Sequence, residues 1–435
     1  MASETPVEPE AGEGEKRGNF FSRNQFVFSL LLPAMLMSIG RGFTMPVIPL
    51  IARDEFGINA AGAVLTIVAP MAGGVLSTLP TGYVIDRFGR RVTLVVAPLV
   101  MGIAAFLAYF AGSYLEFLAW LLLGGIAQQA WQMSRLAAIA DSVRSNLRGR
   151  QITSMSSVQR VGSLGGPVLG GLLAVTVDVR APFLVFGVLG VLAVVPSYLL
   201  IKETAPTVLA RRGGTKLEQA DTSWGKLLTP SVLILFAAQF SANVARGGIQ
   251  GHGGTYFIFL AFAYERDALF LGVVTSATGI VGIPMMLLSG HIMDRWGRKR
   301  QIVPAALMVG GGIGLMATTA ALSLPLAVFV AAFVWINIGI SMMAGTMQTL
   351  GSDVAPPTAR GKFFGVNRLI AEAGSMMNPV AFGGVLALVG ATAAGYAGAF
   401  AIMSGAAFVS ASLVGFGLRE TLRRDEPQHA KASRD

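Results

Sequence analysis

The sequence predicts an all-α membrane protein with twelve transmembrane helices, arranged as two six-helix bundles. Of its 435 residues, 53% are hydrophobic and only 13% are charged, and the mean hydropathy is +0.64. Soluble domains carry about 25% charged residues and have shorter apolar runs. Apolar segments of about 18 residues or more, long enough to cross a hydrocarbon layer about 30 Å thick, recur along the chain. We therefore predict a protein that crosses the membrane many times.

The predicted helices fall into two groups of six, separated by a polar stretch. We place them at residues 25–51, 60–85, 92–112, 115–140, 151–176, 181–201, 230–262, 268–293, 301–323, 325–350, 363–390 and 394–418. The N-terminal bundle thus occupies 25–201 and the C-terminal bundle 230–418, with a linker at 202–229. The segment 1–24 is rich in Glu and Pro and lacks the pattern of a signal peptide, so we expect a disordered tail there. A second polar tail occupies 419–435.

Positive charge alternates between the two sides of the predicted topology. Four loops on one side are basic: 86–91, 144–150, 294–300 and 360–362. The loops on the other side hold Arg53, Arg180 and Arg266, each beside acidic residues. By the positive-inside rule, both termini and the linker lie in the cytosol, and the protein resides in the cytoplasmic (inner) membrane. The net charge of +10 then reflects topology, and we expect no nucleic-acid partner.

The sequence lacks the patterns of several enzyme classes. It contains no cysteine, and it has no G-x-x-x-x-G-K-[ST] phosphate loop, no zinc-ligand spacing and no nucleophile motif. We therefore expect no enzyme, no cofactor and no metal site. Energy for transport would come from a gradient of ions or substrate.

The two halves of the chain repeat each other. "GYVIDRFGRR" at 82–91 recurs as "GHIMDRWGRK" at 290–299, and "IGRG" around Arg41 recurs as "VARG" around Arg246. Helix 5 carries "RVGSLGGPVLGG", and helix 11 carries "EAGSMMNPVAFGG". Parallel repeats of this kind place a substrate site near the membrane midplane, between two halves that rock against each other.

The repeated G-x-x-x-D-R-x-G-R-R pattern resembles the signature of the major facilitator superfamily, and the resemblance covers about residues 25–418. The chain looks closest to the twelve-helix drug/metabolite:proton antiporter branch. The resemblance implies a conformational latch made of Gly82, Asp86, Arg87, Gly89, Arg90 and Asp141, repeated as Asp294, Arg295, Gly297, Arg298 and Asp353. An arginine–carboxylate pair can break and re-form as the halves rock. A static clamp made of the same residues is the alternative.

Helix 5 resembles the G-x-x-x-G-P-x-x-G-G motif of the family's antiporters. The residues that match are Gly162, Gly166, Pro167, Gly170 and Gly171. Small residues of this kind also pack helices closely in membrane proteins that transport nothing. The sequence departs from the drug-exporter pattern at Leu121, where that pattern has an arginine linked to proton coupling, and helix 1 lacks an acid for capturing cations.

Five arginines and one comparably deep carboxylate fall inside the predicted helices. They are Arg41, Arg135, Arg160, Arg246, Arg368 and Glu372. At roughly 2.5–3.5 kcal/mol for each arginine, five arginines cost on the order of 12 kcal/mol unless a partner, a ligand or water compensates. We therefore expect these residues to face a wet cavity.

Arg41 and Arg246 occupy equivalent places in the two halves, which predicts a clamp for a phosphate or a carboxylate. The substrate-binding residues that we predict are Arg41, Arg246, Arg135, Gln128, Gln132, Asn243 and Asn337. We assign coupling to Arg160, Glu372 and Arg368, with Glu372 as the deepest carboxylate and the candidate proton carrier.

Structural alternatives remain open for these charges. Arg368 and Glu372 are four residues apart and could form an ion pair within one helix. Arg135 could extend to the membrane interface. Arg160 and Glu372 could form a purely structural bridge between the halves, and the amides could simply bond helix to helix.

The sequence thus predicts a monomeric secondary transporter working by alternating access. We expect it to export an organic anion or amphiphilic acid, coupled to protons or to a counter-anion, with small-molecule substrate and membrane lipid as its partners. The alternative is a multidrug/proton antiporter of the drug-exporter branch. A lipid flippase and a non-transporting receptor are further alternatives from other classes.

Overall fold

The computed structural model of the chain describes residues 27–142, 145–201, 228–248, 254–343, 346–354, 360–418 and 420. Within these ranges the secondary structure is entirely helical. The two predicted tails and most of the predicted linker lie outside the described residues. The all-α fold class predicted from composition is confirmed.

The N-terminal half contains six long helices. Their bounds are α1 Leu32–Thr44, α2 Leu65–Phe88, α3 Arg90–Tyr109, α4 Tyr114–Ser142, α5 Ser145–Thr176 and α6 Ala181–Leu200. Helix α1 is extended by a wide turn at Val27–Leu31 and by the short turns Ile48–Leu50 and Ile51–Glu55. The regular helix is interrupted at Met45–Val47, where Pro46 has no N–H to donate.

The C-terminal half repeats this order, with an interrupted seventh helix and a tenth helix whose described residues form two segments on either side of residues 344–345. Its helices are α7a Pro230–Arg246, α7b Thr255–Ala263, α8 Ala268–Trp296, α9 Arg298–Ala321, α10a Leu326–Met343, α10b Thr346–Val354, α11 Arg360–Val389 and α12 Ala393–Gly417. Side-chain oxygens of Thr229, Asp267 and Thr392 cap α7a, α8 and α12 at their first turns. Such caps satisfy backbone N–H groups that the helix itself leaves unpaired.

Within the described residues, nine helical segments are long and apolar enough to cross a membrane. They correspond to α1, α2, α3, α6, α8, α9, α10a, α11 and α12. Helices α4 and α5 have 29 and 32 residues, but neither they nor α7a–α7b meet both conditions. Membrane crossing by these three therefore stays a prediction.

The seventh helix differs from the continuous helix predicted at 230–262. It ends at Arg246 and resumes at Thr255, and the sequence between them is rich in glycine. Asn378 of α11 is fully buried beside the break, and its amide donates to the carbonyls of Val244 and Ala245 at 2.6 and 3.3 Å. The amide thus satisfies backbone groups that the interrupted helix leaves without partners.

The two halves meet along two helix pairs, α5 with α8 and α2 with α11. In the first pair, Gly171 lies against the Ala268 carbonyl and Gly272 against the Pro167 carbonyl. A Cβ at either glycine would overlap backbone, so only glycine permits this approach.

One end of the molecule carries Arg87 and Arg295, and the other carries Glu55, Asp178 and Asp267; we name them the basic end and the acidic end. Contacts between the halves are extensive at the acidic end. There α7b packs on Ile48–Leu50, and both α7b and α11 pack on Ala60–Ala63. One continuous apolar core joins the halves at this level. The described structure is therefore closed at the acidic end.

Candidate functional site

A polar cavity of about 280 Å³ lies among α1, α4 and α5. The residues that line it are Met37, Ser38, Arg41, Gln128, Trp131, Gln132, Gln159 and Arg160. Two arginines and three glutamines face this space, and within the described part of the chain no acidic residue lines it. The cavity wall therefore carries a formal charge of +2, which suits an anion.

Arg41 reaches the cavity because its glycine neighbours fix the rotation of α1. Gly42 lies against α5, where an added Cβ would stand 2.8 Å from the Gly166 Cα. Gly40 lies against the Phe186 ring of α6. With both flanking positions in contact with other helices, Arg41 points toward α4. Its guanidinium forms no hydrogen bond or ion pair with any described residue.

Arg135 lies behind the cavity wall, and its side chain is only 4% exposed. Its guanidinium carbon lies 3.8 Å from the centroid of the Trp131 ring, one turn earlier on α4. A cation over an indole face is attracted by the ring quadrupole. The Nε and Nη1 atoms of Arg135 have no acceptor among the described residues, and Arg41 repels the group electrostatically. Arg135 therefore adds positive potential to the cavity from a buried position.

Arg368 and Glu372 form an ion pair along one face of α11. Arg368 Nη2 also donates to Gln132 Oε1 of α4 at 3.4 Å, so this arginine joins the two halves beside the polar cavity. The predicted alternative of an ion pair within the helix is thus present. Arg160 of α5 lines the same cavity.

Arg246 occupies a different environment from Arg41. Its Nε donates to Asn243 Oδ1 at 3.3 Å on its own helix, and the Ser375 hydroxyl donates to the same oxygen at 3.4 Å. It is not among the residues that line the polar cavity. Asn337 donates to the Phe333 carbonyl of its own helix at 2.8 Å. The two-arginine clamp stays a prediction, with only its Arg41 side facing the polar cavity in this conformation.

A second cavity, which we name the apolar pocket, lies inside the N-terminal half. Its volume is about 60 Å³, and its walls come from α1, α2, α3, α4 and α6. Arg41 and Gln128 line both cavities, so the two spaces adjoin at these side chains. Sequence reasoning missed this pocket. Its only signal was a set of small residues, Ala104 and Ala108 on α3 and Gly124–Gly125 on α4.

The latch motif has the same backbone form in both halves. Gly89 has φ 95° and ψ 170°, and Gly297 has φ 107° and ψ 161°. These angles are essentially restricted to glycine. They allow a single residue to separate α2 from α3 and α8 from α9. The loops predicted at 86–91 and 294–300 are thus reduced to Gly89 and Gly297. The other residues of each predicted loop lie on the ends of the flanking helices.

The latch side chains are only partly described. Arg87 Nη1 donates to the Tyr83 hydroxyl at 2.5 Å. In the second half, the Glu420 carboxylate accepts hydrogen bonds from the backbone N–H groups of Arg298 and Lys299 at 2.9 and 3.0 Å. The side chains of Asp86, Asp141, Asp294 and Asp353 lie outside the described residues. The latch role stays a prediction.

The helix 5 glycines pack against two neighbours. A Cβ on Gly162 would lie 2.7 Å from the Ile39 backbone nitrogen, and one on Gly166 would lie 2.7 Å from the Gly42 Cα. Gly170 lies against the Phe43 backbone, and Gly171 faces α8 in the other half. This helix therefore contacts both α1 and the opposite bundle through residues without side chains. Among the described residues, no group of three or more His, Cys, Asp or Glu could hold a metal ion.

Comparisons with known proteins agree with this architecture. The family model described as Major Facilitator Superfamily matches residues 30–379. The chain is 24% identical over 365 residues to Multidrug resistance protein 1 of Bacillus subtilis (strain 168), covering 82% of this chain and 88% of that protein. It is 22% identical over 262 residues to quinolone resistance protein NorA of Staphylococcus aureus (strain MRSA252). That match covers 60% of this chain and 64% of NorA, which is less than two thirds of NorA's length.

Solved structures show the same fold at lower identity. The crystal structure of a D-xylose-proton symporter superposes with a TM-score of 0.72 at 16% identity, covering 91% of this chain and 99% of the symporter. With a family match over most of the chain and this likeness in fold, the chain belongs to the major facilitator superfamily of membrane transporters.

Proposed function

We propose that this transporter exports an organic anion or amphiphilic acid by alternating access, coupled to protons or to a counter-anion. The observation that carries the proposal is the polar cavity, where Arg41 and Arg160 face the space and no acid is among the described residues that line it. Arg135 adds a third positive charge from behind Trp131.

Electrostatics favours an anion over a cation in this cavity. A carboxylate about 4 Å from one guanidinium gains on the order of 4 kcal/mol of attraction at an effective dielectric constant near 20. A cation at the same place would be repelled by a similar energy. The planar guanidinium of Arg41, which is engaged by no described side chain, can also donate two parallel hydrogen bonds to a carboxylate or phosphate.

The contacts between the halves support a rocking cycle. The acidic end is closed by apolar packing and by a hydrogen bond from Arg53 Nη1 to the Ala261 carbonyl. With the basic end in the cytosol, as the loop charges predict, this conformation would receive substrate from the cytosol. Arg160, Glu372 and Arg368 would couple binding to rocking, because Arg368 bridges Glu372 of one half and Gln132 of the other.

A multidrug/proton antiporter is the second candidate. The relatives named as quinolone and multidrug resistance proteins favour it, as does the helix 5 glycine motif. Drug exporters that capture lipophilic cations need a carboxylate in the cavity, and the described lining of the polar cavity contains none. The two candidates therefore differ in the sign of the charge that the site accepts.

Ligand-dependent thermal stability of the purified protein separates these candidates. A ligand that binds only the folded state adds about 2.7 kcal/mol of stability at a hundred times its Kd. We expect organic anions to raise the Tm of the wild type and lipophilic cations to leave it unchanged. The Arg41→Gln, Arg246→Gln double variant should lose the anion response.

Arg266→Gln is the matched control, because Arg266 is exposed at the acidic end and stacks on Phe270 within its own half. A response to cations alone, equal in all three proteins, would reject the anion site and favour the drug exporter. Flux of the stabilising compound in proteoliposomes then distinguishes a transporter of that compound from a receptor.

A further inference from the structure

We infer that the transported anion carries a compact apolar group, which is held in the apolar pocket while the charged end lies against Arg41 in the polar cavity. This substrate class rests on the function proposed above. The transported molecule would be an amphiphilic acid with a ring or a short alkyl chain of about four to six heavy atoms.

The two cavities adjoin at the side chains that a bipartite ligand needs. Arg41 and Gln128 line both spaces, Arg41 from α1 and Gln128 from α4. A ligand at this border can place its anionic end against Arg41 on the polar side. Its carbon skeleton can continue past Gln128 into the apolar pocket.

The walls of the apolar pocket consist of buried, nonpolar side chains. Met101, Ala104 and Ala108 of α3 and Phe183 of α6 are each 3% exposed or less, so the pocket is separated from lipid. Apart from Arg41 and Gln128 at the border, Thr44 and Trp120 are the only described lining residues whose side chains add nitrogen or oxygen atoms. A cavity of this composition offers water too few hydrogen bonds, whereas an apolar group fits it.

The volume of the pocket limits the size of that group. A space of about 10–15 Å³ on this measure holds one water-sized group. The volume of about 60 Å³ therefore accommodates about four to six heavy atoms. Each methylene that leaves water should raise affinity about fourfold until the pocket is full.

Gly124 offers a way to fill the pocket without disturbing helix packing. It lines the pocket, and the nearest atom to an added Cβ would be the Ala104 Cβ at 4.0 Å. Neighbouring Gly125 cannot serve, because its Cβ would overlap the Pro70 backbone. Gly124→Val therefore occupies the space, and Gly405→Val is the matched control on α12, where nothing lies within 4 Å of an added Cβ.

The test measures affinities for a series of sodium carboxylates by thermal stabilisation of the full chain in lipid nanodiscs. The probes are acetate, butyrate, hexanoate and benzoate, with benzylamine as the cationic counterpart of benzoate. We expect affinity to rise about fourfold per methylene and to level off near hexanoate and benzoate. Gly124→Val should bind acetate as the wild type does and should lose at least tenfold in affinity for hexanoate and benzoate. Gly405→Val should match the wild type throughout.

Phe186→Ala supplies a second readout if Gly124→Val does not fold. Phe186 lines the pocket, and its removal enlarges the space. The carboxylate that this variant binds most tightly should then be longer by about two carbons or more than the one that the wild type binds most tightly.

The outcomes separate this inference from the proposed function. Equal affinity for all carboxylates, or unchanged preferences in the pocket variants, would overturn the apolar group and leave the anion transporter standing. Stabilisation by no carboxylate, or by benzylamine in place of benzoate, would overturn both.

Discussion

The guanidinium of Arg135 stacks on the indole of Trp131, with its central carbon 3.8 Å from the ring centroid. Trp131 is 2% exposed and Arg135 4%, so the pair is desolvated on all sides. Because cation–π attraction is stronger without water, this contact offsets part of the cost of burying the Arg135 charge.

Trp131→Phe should destabilise the protein by on the order of 1 kcal/mol, since a phenyl ring attracts a cation less strongly than an indole does. The variant should unfold at a lower Tm. Trp335→Phe is the control, because Trp335 on α10a is 51% exposed. Combining Trp131→Phe with Arg135→Gln tests the coupling. If the two effects simply add, the stacking contributes nothing.

Gly297→Ala should cost more stability than Gly89→Ala. Both substitutions force a side chain into a backbone region that costs about 1–3 kcal/mol. At Gly297 the new Cβ would also lie 2.5 Å from the Glu420 carboxyl carbon and displace the cap of α9. Gly311→Ala on α9 is the reference, since nothing lies within 4 Å there and alanine favours a helix. Denaturant unfolding gives the free energy of unfolding of each variant. Equal losses of stability in Gly89→Ala and Gly297→Ala would show that the Glu420 contact adds nothing.

The sequence was informative where a local pattern dictates the structure. The glycine of the repeated motif has the same φ and ψ in both halves because each must join two helices with one residue. The prediction of a continuous seventh helix at 230–262 was wrong, although the glycine-rich sequence after Arg246 was a signal for the interruption. The charged residues within the helices could be identified from the sequence, because apolar segments seldom contain arginine.

The apolar pocket could not be predicted from the sequence, because it forms where alanine and glycine leave space that larger side chains would fill. Alanines such as Ala104 and Ala108 are common in packed helices. They line a cavity here because of how five helices are spaced, which the sequence does not reveal. The hydrogen bond from Arg246 to Asn243, three residues away, depends on side-chain rotamers, and the hydrogen bonds from Asn378 to α7a join residues more than 130 positions apart. Composition and spacing carry no such information.

Arg53→Gln should weaken closure of the acidic end. Arg53 Nη1 donates to the Ala261 carbonyl of the opposite half, while its other nitrogens bind Asp54 at 2.6 and 3.0 Å. A hydrogen bond from a charged donor contributes about 1.5–3 kcal/mol, so its loss should shift the conformational balance about tenfold or more. Because the chain has no cysteine, a single Val64→Cys reports the change. Val64 is 2% exposed and lies against Gly383 of α11.

A membrane-impermeant maleimide should label that cysteine faster in the Arg53→Gln background. Arg266→Gln, at the same end but engaged within its own half, should leave the rate unchanged. Equal labelling in all backgrounds would mean that apolar packing alone closes this end.

Glu372→Gln should uncouple transport from a proton gradient and leave anion binding intact. Glu372 pairs with Arg368 on α11, and Arg368 also contacts Gln132 in the other half, so a proton on Glu372 would free the arginine that links the halves. In proteoliposomes, an imposed pH gradient should accelerate wild-type flux, while the variant should show the same flux with and without it. Its affinity for the anion should stay within about twofold of the wild type, because Arg41 is untouched and a twofold change is only about 0.4 kcal/mol. Glu116→Gln, at the acidic end, is the control for removing a carboxylate. A variant that still responds to the gradient would show that the Arg368–Glu372 pair is structural and that another group carries the proton.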